Sequence, residues 1–345
     1  MTEIPSSREG QAKKIWLLVL VPEGRHGRWL AAIAILTFGA VVFGVAAWLV
    51  ATYPRRYANQ FSPTVAAFFV AGVAYVVPVF HYITERTREA LDSLAHRLAA
   101  QTLAHARHSL THKPPMWGLR SILAGICLWL VQSRLLAGSW SYMLESVSRG
   151  YVAIVMDFGP LPVWLVMTAA TRALAENAMS FRRIAQEVRA DVFSPPTFAP
   201  VGAMAVTSTL FILGALAVLP IMWLGGPISW WTTLPALLMF LPMIPLLLLL
   251  PIWPLHRRLV QQRQRALAEA QEAIDQARQG ALDDPAGPNA ELANALALRR
   301  EVVRLPVWPL DIGAVTRFLA YAVIVPLTWA GAALIEMLVN TIVGA

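Results

Sequence analysis

A chain of 345 residues with 57% hydrophobic and 14% charged side chains, and a mean hydropathy of +0.56, is too apolar for a water-soluble domain and implies a lipid solvent. The formal net charge of +8 does not point to nucleic acid, because 24 of the 28 Lys and Arg residues fall between apolar blocks on one side of the predicted spans. The single cysteine, Cys127, lies inside an apolar block and is read as packing, which excludes disulfides and a cysteine-based zinc or redox centre.

In chain order, residues 1–28 form a basic N-terminal segment in which Ile15 to Val21 is too short to span and reads as an interfacial anchor. Residues 29–253 carry six predicted spans: Trp29–Thr52, Pro63–Ile83, Trp117–Gly138, Tyr151–Thr171, Pro200–Leu224 and Trp230–Trp253. Each is long enough for a hydrocarbon core of about 30 Å. Residues 254–317 form a polar, helical hairpin, and 318–345 hold a seventh span, Phe318–Asn340. Trp and Tyr residues mark many span ends, as an aromatic belt at the headgroups requires. The fold class is therefore all-α, a polytopic membrane bundle of about seven spans with a helical cytoplasmic layer.

Basic residues set the orientation. Segments 1–28, 84–120, 172–199 and 254–317 hold five, six, four and nine Lys or Arg, whereas the alternate connections hold only Arg55, Arg56 and Arg149. The N-terminus is expected in the cytoplasm and the C-terminus outside. The three lysines, Lys13, Lys14 and Lys113, all fall outside the spans, so no Schiff base of the retinal type is available.

After the second span, Thr84 to Leu110 contains no Gly or Pro and carries Leu91, Leu94, Leu98 and Leu103, predicting one continuous rod. Along that rod His105, His108 and His112 are weak candidates for a metal, outweighed by the reading as a solvated face. After the sixth span Arg263, Leu267, Ala270, Ile274 and Ala277 give a coiled-coil-like seam. Breakers from Gly280 to Pro288 then turn the chain into a third helix, Asn289 to Arg304.

The most specific signal is an internal repeat. Leu250-Pro-Ile-Trp-Pro-Leu-His256 closes the sixth span, and Leu305-Pro-Val-Trp-Pro-Leu-Asp311 precedes the seventh. Two prolines around an interfacial tryptophan interrupt a helix and anchor the interruption at the headgroups. Pro251, Trp253, Pro254, Pro306, Trp308 and Pro309 are therefore read either as paired hinges or as two rigid elbows. Pro235, Pro242, Pro245 and Pro251 also predict that the sixth span is not straight.

Ionisable residues inside spans are functional candidates by default. Arg134, Asp157 and Glu336 all fall toward the outer leaflet and are expected to form a polar cluster, lining a vestibule or tying three spans together. Asp157 precedes Phe158-Gly159-Pro160-Leu161-Pro162, where unwound backbone beside a carboxylate is expected to suit a cation.

The stretches Arg189-Ala-Asp-Val-Phe-Ser-Pro-Pro-Thr-Phe-Ala-Pro200, Pro254-Leu-His-Arg-Arg258 and Trp308-Pro-Leu-Asp-Ile312 before Arg317-Phe-Leu resemble segments of uncharacterised bacterial multi-pass inner-membrane proteins. That resemblance spans roughly the C-terminal half and implies no activity. In architecture alone, seven N-in spans with long cytoplasmic helices resemble the insect odorant and gustatory receptor type of ion channel. No motif of that type carries over; only Trp329, Ala330 and Gly331 match in the last span.

No nucleotide loop, hydrolase constellation or paired glycosidase carboxylates are recognisable. An enzyme and a cofactor are not expected. The leading expectation is an oligomeric ion channel coupled to the cytoplasmic layer, with membrane lipid and further copies of itself as partners. A non-conducting sensor or scaffold that recruits a cytoplasmic protein is the alternative, and a secondary transporter is third.

Overall fold

The computed structural model describes residues 13–137, 141–187, 198–224, 230–283, 290–310 and 312–343. Strand β1 (Lys13–Lys14) leads into α1 (Trp16–Val19), α2 (Gly27–Thr52), α3 (Pro54–Tyr57), α4 (Pro63–Ser93) and α5 (Ala100–Thr111). Strand β2 (His112–Lys113) precedes α6 (Pro115–Ala137), α7 (Ser141–Arg149), α8 (Tyr151–Phe158) and α9 (Pro160–Glu187). The chain continues as α10 (Ala199–Val218), α11 (Trp230–Phe240), α12 (Met243–Asp283), α13 (Ala290–Arg304) and α14 (Ile312–Val343).

Seven helical stretches among the described residues are long and apolar enough to cross a membrane: α2, α4, α6, α8 with α9, α10, α11 with α12, and α14. The protein is an all-α multi-pass bundle. The end that carries α5, the α12–α13 hairpin and most cations is called the basic end below.

Two cores sit one above the other. The membrane core gathers Val76, Phe80, Ala169, Ala170, Phe211, Ile212 and Leu247 from α4, α9, α10 and α12. The second, at the basic end, joins Leu91, Leu94, Leu110, Phe181, Leu255 and Leu259. Helices α4, α9 and α12 run through both layers, so the polar layer is built from the spans themselves.

Several expectations are revised. Ile15, Leu17, Leu18 and Val21 are at most 5% exposed and belong to the membrane core, so the short N-terminal segment is a plug rather than a surface anchor alone. Its β1 strand pairs antiparallel with β2, Lys13 against Lys113 and Lys14 against His112. The rod predicted from Thr84 to Leu110 is broken after Ser93, and α5 returns along α4. Leu91 and Leu94 are fully buried; burying them on both arms of a turn outweighs the helix propensity of a stretch free of Gly and Pro. The break at Gly159 is not an unwinding, because its backbone stays right-handed helical (φ −55°, ψ −36°). Proline at the first position of α9 needs no helical N–H donor there, so the helical path continues into α9. The sixth span does break, between Phe240 and Met243 beside Pro242. Cys127 is exposed on α6 rather than packed.

Candidate functional site

Two polar features stand out. The first is a seam between α6 and α9. These helices approach closely at Gly125, where a Cβ would lie 2.9 Å from Thr168 Oγ1 and 3.1 Å from the Leu165 Cα. Small residues permit such contact, and polar side chains then bind across it where lipid offers no alternative partner. At the basic end Glu176 accepts from Trp117 Nε1 (2.7 Å) and Arg172 Nε (3.1 Å), while Lys113 Nζ lies 2.9 Å from its other oxygen. Arg172 also donates to the Trp117 carbonyl at 3.3 Å and sits over its indole ring. Deeper in the seam, Trp164 Nε1 donates to Gln132, while the Thr168 hydroxyl donates to the Trp164 carbonyl of its own helix at 2.6 Å and lies 3.3 Å from the Ser121 carbonyl across the seam. Trp129 Nε1 donates to the Asp157 carbonyl at 3.3 Å, which carries the polar contacts of α6 on to α8.

At the far end the Asp157 carboxylate pairs with Arg149 at 3.0 Å. Arg134, expected in the same cluster, is exposed in the last turn of α6. Helix α7 ends at Arg149, and the turn at Gly150 (φ 100°) starts α8, so the guanidinium returns eight residues along the chain to the carboxylate. Glu336 lies within α14, and its side chain is outside the described residues. Asp157 thus has Arg149, eight residues earlier in the chain, as an ion-pair partner.

The second feature is the repeat. Its first copy is helical: α12 runs from Met243 through Pro251 and Pro254 to Asp283. Its second copy, described as far as Leu310, is non-helical and lies between α13 and α14. The buried flanks Leu247, Ile252, Leu255 and Leu259 hold the first copy in the helix despite the hydrogen bonds its prolines lack. The second copy starts at Leu305, directly after α13 ends, and keeps the non-helical path that proline favours in its predecessor. The two copies touch. The His256 ring stacks on Trp308 with centroids 3.9 Å apart and planes 19° apart, and Nδ1 lies 3.0 Å from the Val307 carbonyl. Buried Pro309 presses on α10, where a Cβ at Gly202 would lie 1.9 Å from the Pro309 carbonyl oxygen. Further along, Arg263 donates to the carbonyls of Val302 and Val303 and so caps the end of α13.

Of the three histidines, His105 and His108 lie on α5 and His112 follows it. Helix α5 ends at Thr111, His112 is extended, and its ring stacks on His108 at 4.8 Å while Nδ1 meets Thr111 Oγ1 at 2.9 Å. Among the described residues no group of three His, Cys, Asp or Glu is placed to hold a metal ion.

Sequence reasoning did not single out Glu176 or Lys113. The Arg172-x-x-x-Glu176 spacing was a visible helical ion-pair signal, whereas the approach of Lys113 depends on the β1–β2 pairing. No protein-family profile, curated protein or solved structure matches the chain.

Proposed function

We propose that this is a non-conducting sensor or scaffold of a bacterial inner membrane, N-terminus inside, whose α12–α13 hairpin engages a cytoplasmic protein and moves together with the last span. The observation that carries this reading is the contact between the two repeat copies. Helix α12 joins the sixth span to the hairpin without interruption, and the His256–Trp308 stack fastens the entrance of α14 to it. Displacement of the hairpin is thereby transmitted to the seventh span as a unit. The hairpin also offers an apolar contact surface: Leu296, Leu298 and Val303 on α13 are 38–49% exposed outside the spans.

Among the described residues, Gln132 and Trp164 bond to each other in the α6–α9 seam and Thr207 and Thr209 bond back to carbonyls of their own helix, an arrangement that weighs against an open polar stripe and so against conduction through one chain. An oligomeric channel is the second reading. It is favoured by α14, which packs on α10 while Leu319, Val323, Leu327 and Leu334 stay more than half exposed, leaving a face for another copy.

Reconstitution into liposomes distinguishes the two. The scaffold reading expects no K⁺, Na⁺ or Cl⁻ flux above empty vesicles, and a photocrosslinker at Leu296 to capture a discrete cytoplasmic protein. Protein-dependent flux would overturn it in favour of the channel. A reporter fused after Ala345 tests the orientation and should read external.

A further inference from the structure

We propose that the groove between α2 and the α8–α9 span holds one acyl chain of an anionic phospholipid, with its headgroup on Lys14, Arg25 and Arg28. The groove has a volume of about 630 Å³ and every residue lining it is apolar, from Leu20 and Pro22 at the basic end to Phe43 and Ile154 toward the other. It closes at that other end, where Tyr151 donates to the Val42 carbonyl at 3.0 Å and Ala46 packs with Val152 and Tyr57. An apolar slot sealed at one end and open at a charged mouth has the shape of a lipid-tail site.

Its length suits the occupant. From Leu30 to Phe43 the wall of α2 extends roughly 20 Å at the helical rise, comparable with an extended acyl chain; a helix from a second copy seated on the same groove is the competing outcome that the dimer mass below tests.

Charge at the mouth selects the headgroup. Pro22 lines the groove, and among the described residues its sequence neighbours Lys13, Lys14, Arg25 and Arg28 stand against the carboxylates of Glu23 and Glu85. Lys14 lies 3.6 Å from Glu23, and Arg28 lies 3.3 Å from Glu85 and over the Tyr82 ring. The two carboxylates order the cations and leave an excess of positive charge, which favours an anionic headgroup over a zwitterionic one. This inference stands independently of the scaffold reading.

Native mass spectrometry of the full-length protein in detergent, with dioleoyl phosphatidylglycerol or dioleoyl phosphatidylcholine added, tests it. One phosphatidylglycerol per chain is expected to survive activation that strips phosphatidylcholine. Ala34→Trp, at an exposed position in the groove wall, should weaken retention at least tenfold, with Leu30→Trp as a second blocking variant should the first unfold. Arg25→Gln with Arg28→Gln should erase the preference between the two lipids while leaving tail binding. Equal retention of both lipids by the parent protein would overturn the headgroup assignment. Unchanged retention in a folded blocking variant, or a dimer mass that the blocking variant abolishes, would overturn the tail assignment.

Discussion

Lys113 Nζ lies 2.9 Å from Glu176 Oε2 although Lys113 belongs to β2 and Glu176 to α9, and the side chains are 9% and 26% exposed. Removing one partner of a buried pair leaves a desolvated charge behind, at a cost of about 3–5 kcal/mol when burial is complete. With this exposure, Glu176→Gln is expected to cost about 1–3 kcal/mol, read as a lower thermal midpoint in detergent. The double variant with Lys113→Met should recover part of the loss. A Glu176→Gln protein as stable as the parent would remove the pair from the account of the fold.

His256→Ala or Trp308→Ala should loosen the hairpin from the last span. The ring stack contributes about 0.5–1.5 kcal/mol, so the effect on stability is small and the effect on geometry is the informative one. Spin labels on Arg278 and Leu319, in a Cys127→Ser background, should give a narrow distance distribution in the parent and a broad one in either variant. Equal widths would show that the repeat copies do not couple the two elements.

Asp157 and Arg149 should be energetically coupled to each other. Both side chains are partly exposed, at 19% and 27%, and interhelical polar pairs in membranes contribute about 0.6 kcal/mol on average. A double-mutant cycle of Asp157→Asn and Arg149→Gln is expected to return a coupling of about 0.5–1.5 kcal/mol. Zero coupling would leave the pair without an energetic role.

Gly202 is where α10 meets the second repeat copy. A Cβ there would stand 1.9 Å from a backbone oxygen, so Gly202→Ala must displace the chain before α14, at about 1–3 kcal/mol for overpacking. Gly44→Ala on α2, where nothing lies within 4 Å, is the matched control and should be neutral or slightly stabilising. Equal melting of the two variants would contradict the close contact at Pro309.

The spans were legible in the sequence because hydrophobic length is set by the bilayer and needs no knowledge of partners. The α12 seam was legible for a similar reason: Ala270 and Ile274 are buried at the positions that the 3.5-residue rhythm gives. The turn after Ser93 was not, since no breaker marks it and only burial of Leu91 and Leu94 between two arms produces it. Sign and depth alone suggested Arg134 for Asp157, whereas the Gly150 turn brings Arg149 back along the chain. The repeat was found by identity, but identical residues adopt different backbones in its two copies because their neighbours differ.

The plug formed by Ile15, Leu17 and Leu18 has a consequence for how the protein is made. Its burial requires α4 and α9, and its strand requires His112 and Lys113. Translation proceeds from the N-terminus, so this early segment must wait at the membrane surface until the fourth span has been inserted. Its docking is thus a late step of assembly that joins the beginning of the chain to the middle, and protection of residues 13–21 from protease during synthesis should appear only after α9 has left the ribosome.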